Sequence, residues 1–157
     1  MIVTKFGGTS MASADQFKKV KSIIDRNSDR QVVVVSAAGK KDSKDIKITD
    51  LLYTLHTHLV YGVPYDDIWG MIEGRYLEIA RELELDCNIE AELAKIKGEL
   101  GKSIDQNYLI SRGEYLSAKL MSAYLGFDFV DAKDIITVSG FVGQEFSFRA
   151  NRNSSEN

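Results

Sequence analysis

The chain has 157 residues, 44% of them hydrophobic, which is enough apolar material for one compact domain with a core. A formal net charge of −3 and the lack of any block of basic residues exclude the electrostatic footprint of a nucleic-acid surface. The single cysteine, Cys87, excludes an internal disulfide and fits a reducing, cytoplasmic setting; no charge-free apolar stretch reaches the roughly 18 residues of a membrane span, and Lys5 stands where a signal peptide would be apolar.

Residues 1–6 read as a short buried strand, and it runs into Lys5-Phe6-Gly7-Gly8-Thr9-Ser10. A glycine pair leaves its backbone N–H groups uncovered by Cβ atoms, so an oxyanion can approach them; a helix starting just afterwards would add its positive dipole end, and Lys5 a full charge. The same residues also read as a β-turn whose glycines provide φ > 0 and whose Thr9 or Ser10 caps the next helix. That helix is expected over residues 13–26, with Phe17, Val20, Ile23 and Ile24 on one face and Ser13 or Ser10 as its cap. Residues 31–38, with four consecutive valines, are too uniformly β-branched for a half-exposed strand and are expected in the middle of a parallel sheet.

Residues 39–47 are polar and highly charged, the composition of a mobile surface loop. Thr49 is placed to cap a helix over residues 49–62, which Pro64 stops, and further helical patterns cover residues 66–83, 89–100 and 111–124, the last closed by Gly126. Residues 127–131 read as a third strand with Asp131 at its carboxyl end, and residues 151–157 as a disordered tail. Strands interleaved with helices give an α/β domain with a mainly parallel sheet, whose ligands bind off the carboxyl ends of the strands. Three polar clusters meet that condition: residues 5–10, residues 36–41 and the vicinity of Asp131.

Each candidate has a structural and a functional reading. Ser36 opens a small-residue turn that either punctuates the chain or presents N–H groups and a hydroxyl to a ligand. Thr49 is either an ordinary cap or a hydroxyl where a carboxylate docks. Glu114, in an Arg112-Gly113-Glu114 helix start, either complements the helix dipole or pairs with a substrate ammonium group. His56 and His58 lie two apart on a helix and cannot chelate one metal, and the aromatic run Tyr53, Tyr61, Tyr65, Trp69 and Tyr76 is assigned to packing. No metal site, catalytic triad or Gly-x-x-x-x-Gly-Lys phosphate loop is present, so phosphate chemistry would use Lys5.

In this order the pieces resemble the aspartate kinase branch of the amino-acid kinase family. The resemblance rests on residues 5–10, on Val33-Val34-Val35-Ser36-Ala37-Ala38-Gly39-Lys40, on Ile48-Thr49-Asp50-Leu51-Leu52, on Gly113-Glu114-Tyr115-Leu116-Ser117-Ala118 and on Asp131-Ala132; it spans residues 1–143. It implies a three-layer αβα sandwich with a mainly parallel sheet, the carbamate kinase-like fold, of which residues 1–150 would form an N-terminal part incomplete at its C-terminus. It also implies conversion of ATP and L-aspartate to ADP and 4-phospho-L-aspartate, the first step toward lysine, threonine and methionine. Carried over by position, Lys5 would be catalytic, and Lys5, Gly7, Gly8, Thr9 and Ser10 would hold ATP. Ser36, Thr49 and Glu114 would hold aspartate, and Mg2+ would come with the nucleotide. The family's Gly-Arg-Gly-Gly-Ser-Asp segment and C-terminal ACT domains are absent from this sequence, so the expectation is a weakly binding, inactive fragment that self-associates as a homo-oligomer. The alternatives are a non-catalytic folded module or another member of the amino-acid kinase family.

Overall fold

The computed structural model of the chain describes residues 1–139 and 147–150, with side chains through residue 136. Two compact units follow one another, residues 1–127 and residues 128–157.

In the first unit, β1 (Ile2–Phe6) runs parallel to β2 (Arg30–Val35), with Lys5 opposite Val34 and Phe6 opposite Val35. Between them lies α1 (Ala14–Asp25). Ser13 is its cap, its Oγ accepting from the Gln16 N–H at 3.4 Å, and Phe17, Val20 and Ile24 form the buried stripe. The expectation of a β2 buried on both faces fails. Side chains alternate across a strand, so Phe6, Val33 and Val35 pack on the core while Val3, Val32 and Val34 remain 59%, 39% and 47% exposed. Among the described residues β2 pairs with β1 alone, and one helical layer covers one face: two of the three layers of the expected sandwich.

α2 (Ile48–Tyr61) begins without a side-chain cap, so the assignment of Thr49 as N-cap also fails: Thr49 sits half-buried inside the first turn. The Ala38 carbonyl accepts the Ile48 N–H at 3.0 Å, which meets one of the needs a capping hydroxyl would serve. Gly62, at φ 67°, ends the helix in the left-handed region, where its missing Cβ avoids strain, and Pro64 follows. α3 (Asp66–Glu82) and α4 (Ile89–Glu99) match their expected spans closely. α5 (Gln106–Leu125) starts five residues earlier than expected, because the Asp105 carboxylate accepts from the Tyr108 N–H at 2.8 Å and Leu109 extends the buried stripe. Arg112, Gly113 and Glu114 therefore lie in the second and third turns of α5, beyond the helix-dipole role offered for Glu114.

The core is helical: Phe17, Leu52, Leu55, Trp69, Ile72, Tyr76, Leu93, Leu109, Leu116 and Leu120 are almost wholly inaccessible. α2 packs on both α3 and α5, and α4 on the same two helices. The aromatic run divides, with Trp69 and Tyr76 buried and Tyr53 and Tyr61 exposed. Among the described residues no helix is long and apolar enough to cross a membrane.

The second unit holds a short α6 (Ala132–Ile135) and the antiparallel pair β3 (Ile136–Ser139) and β4 (Ser147–Ala150). The third strand expected over residues 127–131 is absent. The Phe127 N–H is taken by the Ser122 carbonyl at the end of α5, and Asp131 caps α6 by accepting from the Lys133 N–H at 3.1 Å. The expected tail, residues 151–157, and the last residues of the stretch that resembles the family, 140–143, lie outside the described residues.

This division of burial has a direct consequence for stability. Leu55→Ala should cost about 2–5 kcal/mol, the range for truncating a fully buried leucine, whereas Val34→Ala should cost less than about 1 kcal/mol because half of that side chain is already in water. Urea denaturation of the two variants gives the order; equal losses would mean that Val34 is covered in solution.

Candidate functional site

Residues far apart in sequence meet at the carboxyl ends of β1 and β2. The Ser36 N–H donates to the Phe6 carbonyl at 3.1 Å, and three residues on the Gly39 N–H donates to the Gly8 carbonyl at 2.8 Å. The two loops touch backbone to backbone there. A Cβ on Gly39 would lie 2.6 Å from the Gly8 carbonyl carbon and 2.9 Å from the Thr9 nitrogen, so only glycine fits. Neither Gly7 nor Gly8 has a positive φ, so the pair forms its turn without a left-handed backbone.

None of the hydrogen bonds made by the described residues uses the N–H groups of Gly7, Gly8 or Thr9. In a trans peptide the N–H opposes the C=O, so with the Gly8 carbonyl turned toward Gly39 the Thr9 N–H faces the other way. The expected helix dipole is not part of this arrangement. A single 3-10 turn (Gly8–Met11) follows the glycines, and α1 starts only at Ala14 with its first turn capped by Ser13. Ser10 donates its N–H within that turn, to the Gly7 carbonyl at 3.0 Å. Lys5 is exposed on the open face of the sheet, and its ammonium has no hydrogen-bond or ion-pair partner among the described residues.

Glu114 joins the same turn from α5. Burial of part of the carboxyl raises its pKa above the ordinary value; its own N–H, the Ala37 N–H and the Arg112 charge pull the other way without cancelling that. Ser36 is half-buried beside Ala37, and Thr49 follows Ile48, whose N–H holds the Ala38 carbonyl. Ser36, Thr49 and Glu114 thus border one turn, while Lys5 is joined to none of them by a hydrogen bond. Asp131, the third expected cluster, belongs to the second unit as the cap of α6.

Two residues of α3 hold the turn: Arg75, which the sequence reading passed over, and Tyr76, which it assigned to packing alone. Arg75, 8% exposed, donates to the carbonyls of Gly39, Ala12 (3.3 Å) and Ile46 (3.2 Å) and pairs with Asp45 at 2.7 Å. Next to it, the fully buried Tyr76 hydroxyl donates to the Gly113 carbonyl at 2.8 Å, accepts from the Ala38 N–H at 3.4 Å and meets Ser117 Oγ at 3.3 Å. Burial pushes the Tyr76 hydroxyl up to about 12, so it remains a donor. The only sequence signal for the pair is a charge and a hydroxyl amid the apolar stripe of Ile68, Ile72 and Ile79. These contacts also correct the mobile-loop expectation for residues 39–47. The loop is anchored by Arg75–Asp45, by the Lys41 N–H on Asp45 at 3.0 Å and by Lys41–Glu78 at 2.8 Å.

Two outcomes follow. Gly39→Ala should destabilise the chain by about 1–3 kcal/mol, the cost of forcing an atom into packed backbone, while Gly7→Ala, whose Cβ would meet nothing within 4 Å, should cost under about 0.5 kcal/mol in thermal denaturation. For Asp45, desolvation raises the carboxyl pKa, but the N–H groups of Lys41 and Ile46 and the charges of Arg75 and Lys41 together outweigh it and hold it below its ordinary value of 3.8. A depressed carboxyl stabilises the fold fully above the unfolded value and loses that contribution as pH falls through the folded one. Acid titration from pH 6 to pH 3 should therefore erode stability more in the unsubstituted chain than in Asp45→Asn; parallel curves would remove Asp45 from the anchor.

Residues 1–155 match the model of the amino acid kinase family. Aspartokinase 3 of Bacillus subtilis is 36% identical over 142 residues, which are 85% of this chain and 31% of that protein. The aspartate kinase of Clostridium acetobutylicum, a solved structure, superposes with a TM-score of 0.83 at 45% identity, covering 87% of this chain and 31% of that one. E. coli aspartokinase III, solved in complex with aspartate and ADP, superposes with a TM-score of 0.65 at 25% identity over 86% of this chain and 30% of its own. The chain thus spans about a third of the length of these relatives. The match along nearly its whole length shows that the chain belongs to the amino acid kinase family.

Proposed function

We propose that the chain is the N-terminal part of an aspartate kinase catalytic domain, serving transfer of the γ-phosphoryl group of ATP to the side-chain carboxylate of L-aspartate. The observation that carries this reading is the gathering of Gly8, the Ala37–Gly39 turn and Glu114 at one strand end, beside three backbone N–H groups that no described residue uses. Such transfer depends on positioning and on neutralising charge on the moving phosphoryl, with little covalent work for the protein.

In this reading Gly7, Gly8 and Thr9 donate N–H bonds to ATP phosphate oxygens, Ser10 stands at the end of the same turn, and the exposed Lys5 ammonium supplies the charge that follows the phosphoryl. Such charge-assisted contacts are about twice as strong as neutral ones. Glu114 receives the aspartate ammonium, and the arrival of that cation offsets the desolvation that now raises its carboxyl. Ser36 and Thr49 offer hydroxyls to the aspartate carboxylates. ATP supplies the phosphoryl group, and magnesium enters with the nucleotide. A cytoplasmic place at the start of lysine, threonine and methionine synthesis, and self-association through the open sheet face, complete the reading.

Isothermal titration separates the two halves of the site. Lys5→Ala should weaken binding of ATP by at least about tenfold and leave L-aspartate unchanged, as expected for loss of one charge-assisted contact of about 1.5–3 kcal/mol. Glu114→Gln should do the reverse. Weakening of both ligands by both substitutions, or of neither, would defeat the assignment.

A further inference from the structure

We infer that Tyr76, on a helix that contributes no ligand-facing group to the site, is a positioning residue that sets recognition of the substrate ammonium group by locking the Glu114 turn of α5 to the Ala37–Gly39 turn after β2. This rests on the reading of Glu114 as the ammonium acceptor. The geometry is specific. One hydroxyl bridges the Gly113 carbonyl, one residue before Glu114, and the Ala38 N–H, one residue after the Ala37 N–H that faces the Glu114 carboxylate. With the Tyr76 O–H donated to Gly113, Ser117 is left as the donor of their mutual contact, so all the bonding capacity of the hydroxyl is used.

The two turns have no comparable covalent or sequence-local link, since 75 residues separate Ala38 from Gly113. They do pack closely. A Cβ on Gly113 would lie 2.7 Å from that of Ala37, so a small rotation of α5 against the turn changes where Glu114 points. Such sub-ångström control is what discrimination by a single ionic contact requires. Among the described residues, the groups that act on the Glu114 carboxyl are its own N–H on α5 and the Ala37 N–H from the β2 turn, with the charge of Arg112 acting from elsewhere on α5, where its guanidinium lies over the Tyr108 and Tyr115 rings, and the neutral Tyr76 hydroxyl contributed from α3.

Tyr76→Phe keeps the ring in the core and removes only the bridge. Two readouts test the inference on the whole chain. The first needs no ligand. In the unsubstituted protein the Ala37 amide resonance should follow the Glu114 carboxyl as it titrates, with a midpoint above that of an ordinary glutamate, and the Ala38 amide should be protected from hydrogen exchange. In Tyr76→Phe the Ala37 response should shrink by at least half. The second is the ratio of affinities for L-aspartate and succinate, which lacks the ammonium group: the variant should lose about tenfold of this preference while succinate binding stays within about twofold, a split that a general loss of structure would not give. An Ala37 titration unchanged in Tyr76→Phe, an Ala38 amide exchanging as fast as those of Gly7 and Gly8, or an unchanged aspartate-to-succinate ratio would each overturn the role of Tyr76. Failure of the unsubstituted chain to bind aspartate at all would instead strike the substrate assignment, and the Ala37 and Ala38 measurements would still decide whether Tyr76 locks the two turns.

Discussion

The site depends on a close approach of two backbones at Gly8 and Gly39. Two loops that leave neighbouring parallel strands meet with no side chain between them, and the 2.8 Å bond from the Gly39 N–H to the Gly8 carbonyl orients both. That one contact fixes which way the peptide after Gly8 faces, and with it the Thr9 N–H. It also brings the turn carrying Ser36 against the loop carrying Gly7. Glycine serves here for proximity and not for a left-handed backbone, since the positive-φ glycines of the described residues are Gly62 and Gly126, both at helix ends.

Magnitudes separate what builds the fold from what shapes the site. The helical core, with Leu55, Trp69, Ile72 and Leu93 excluded from water, supplies most of the stabilisation, at about 1.5–3 kcal/mol for each large side chain buried. Exposed pairs such as Lys18–Asp15 and Lys21–Asp25 contribute about 0–1 kcal/mol each. Arg75 and Tyr76 occupy the ground between. Buried, and bonded to the loop and turn that border the site, they are placed to convert helix packing into loop geometry. An arginine with three carbonyls and a carboxylate is expensive to bury unless those partners are in place, so the loop at residues 39–47 is ordered by a residue whose own burial requires that order.

Much of this was legible in the sequence because it is local. Periodicity located α1 through α4 within a residue or two, Gly126 marked the end of α5, and Lys5-Phe6-Gly7-Gly8 with Ser36-Ala37-Ala38-Gly39 marked the strand ends that meet. The failures have two causes: partners distant in the chain, and local hydrogen bonds that displace strand pairing. Thr49 loses the cap position because Ala38 supplies an acceptor; residues 127–131 form no strand because Ser122 and Lys133 claim the hydrogen bonds of Phe127 and Asp131; a charged loop is ordered because Arg75 lies beneath it. The run of valines suggested burial on both faces, but a strand's residues cannot report whether a second layer is present.

The most direct measurement is a two-dimensional amide NMR spectrum of the chain titrated with L-aspartate. The account predicts perturbations concentrated at Ala37, Ala38, Thr49 and Glu114, converging from three separate stretches of sequence, with the α4 amides unmoved. A spectrum that does not change at saturating aspartate, or that changes only away from the Gly8–Gly39 crossing, would contradict it.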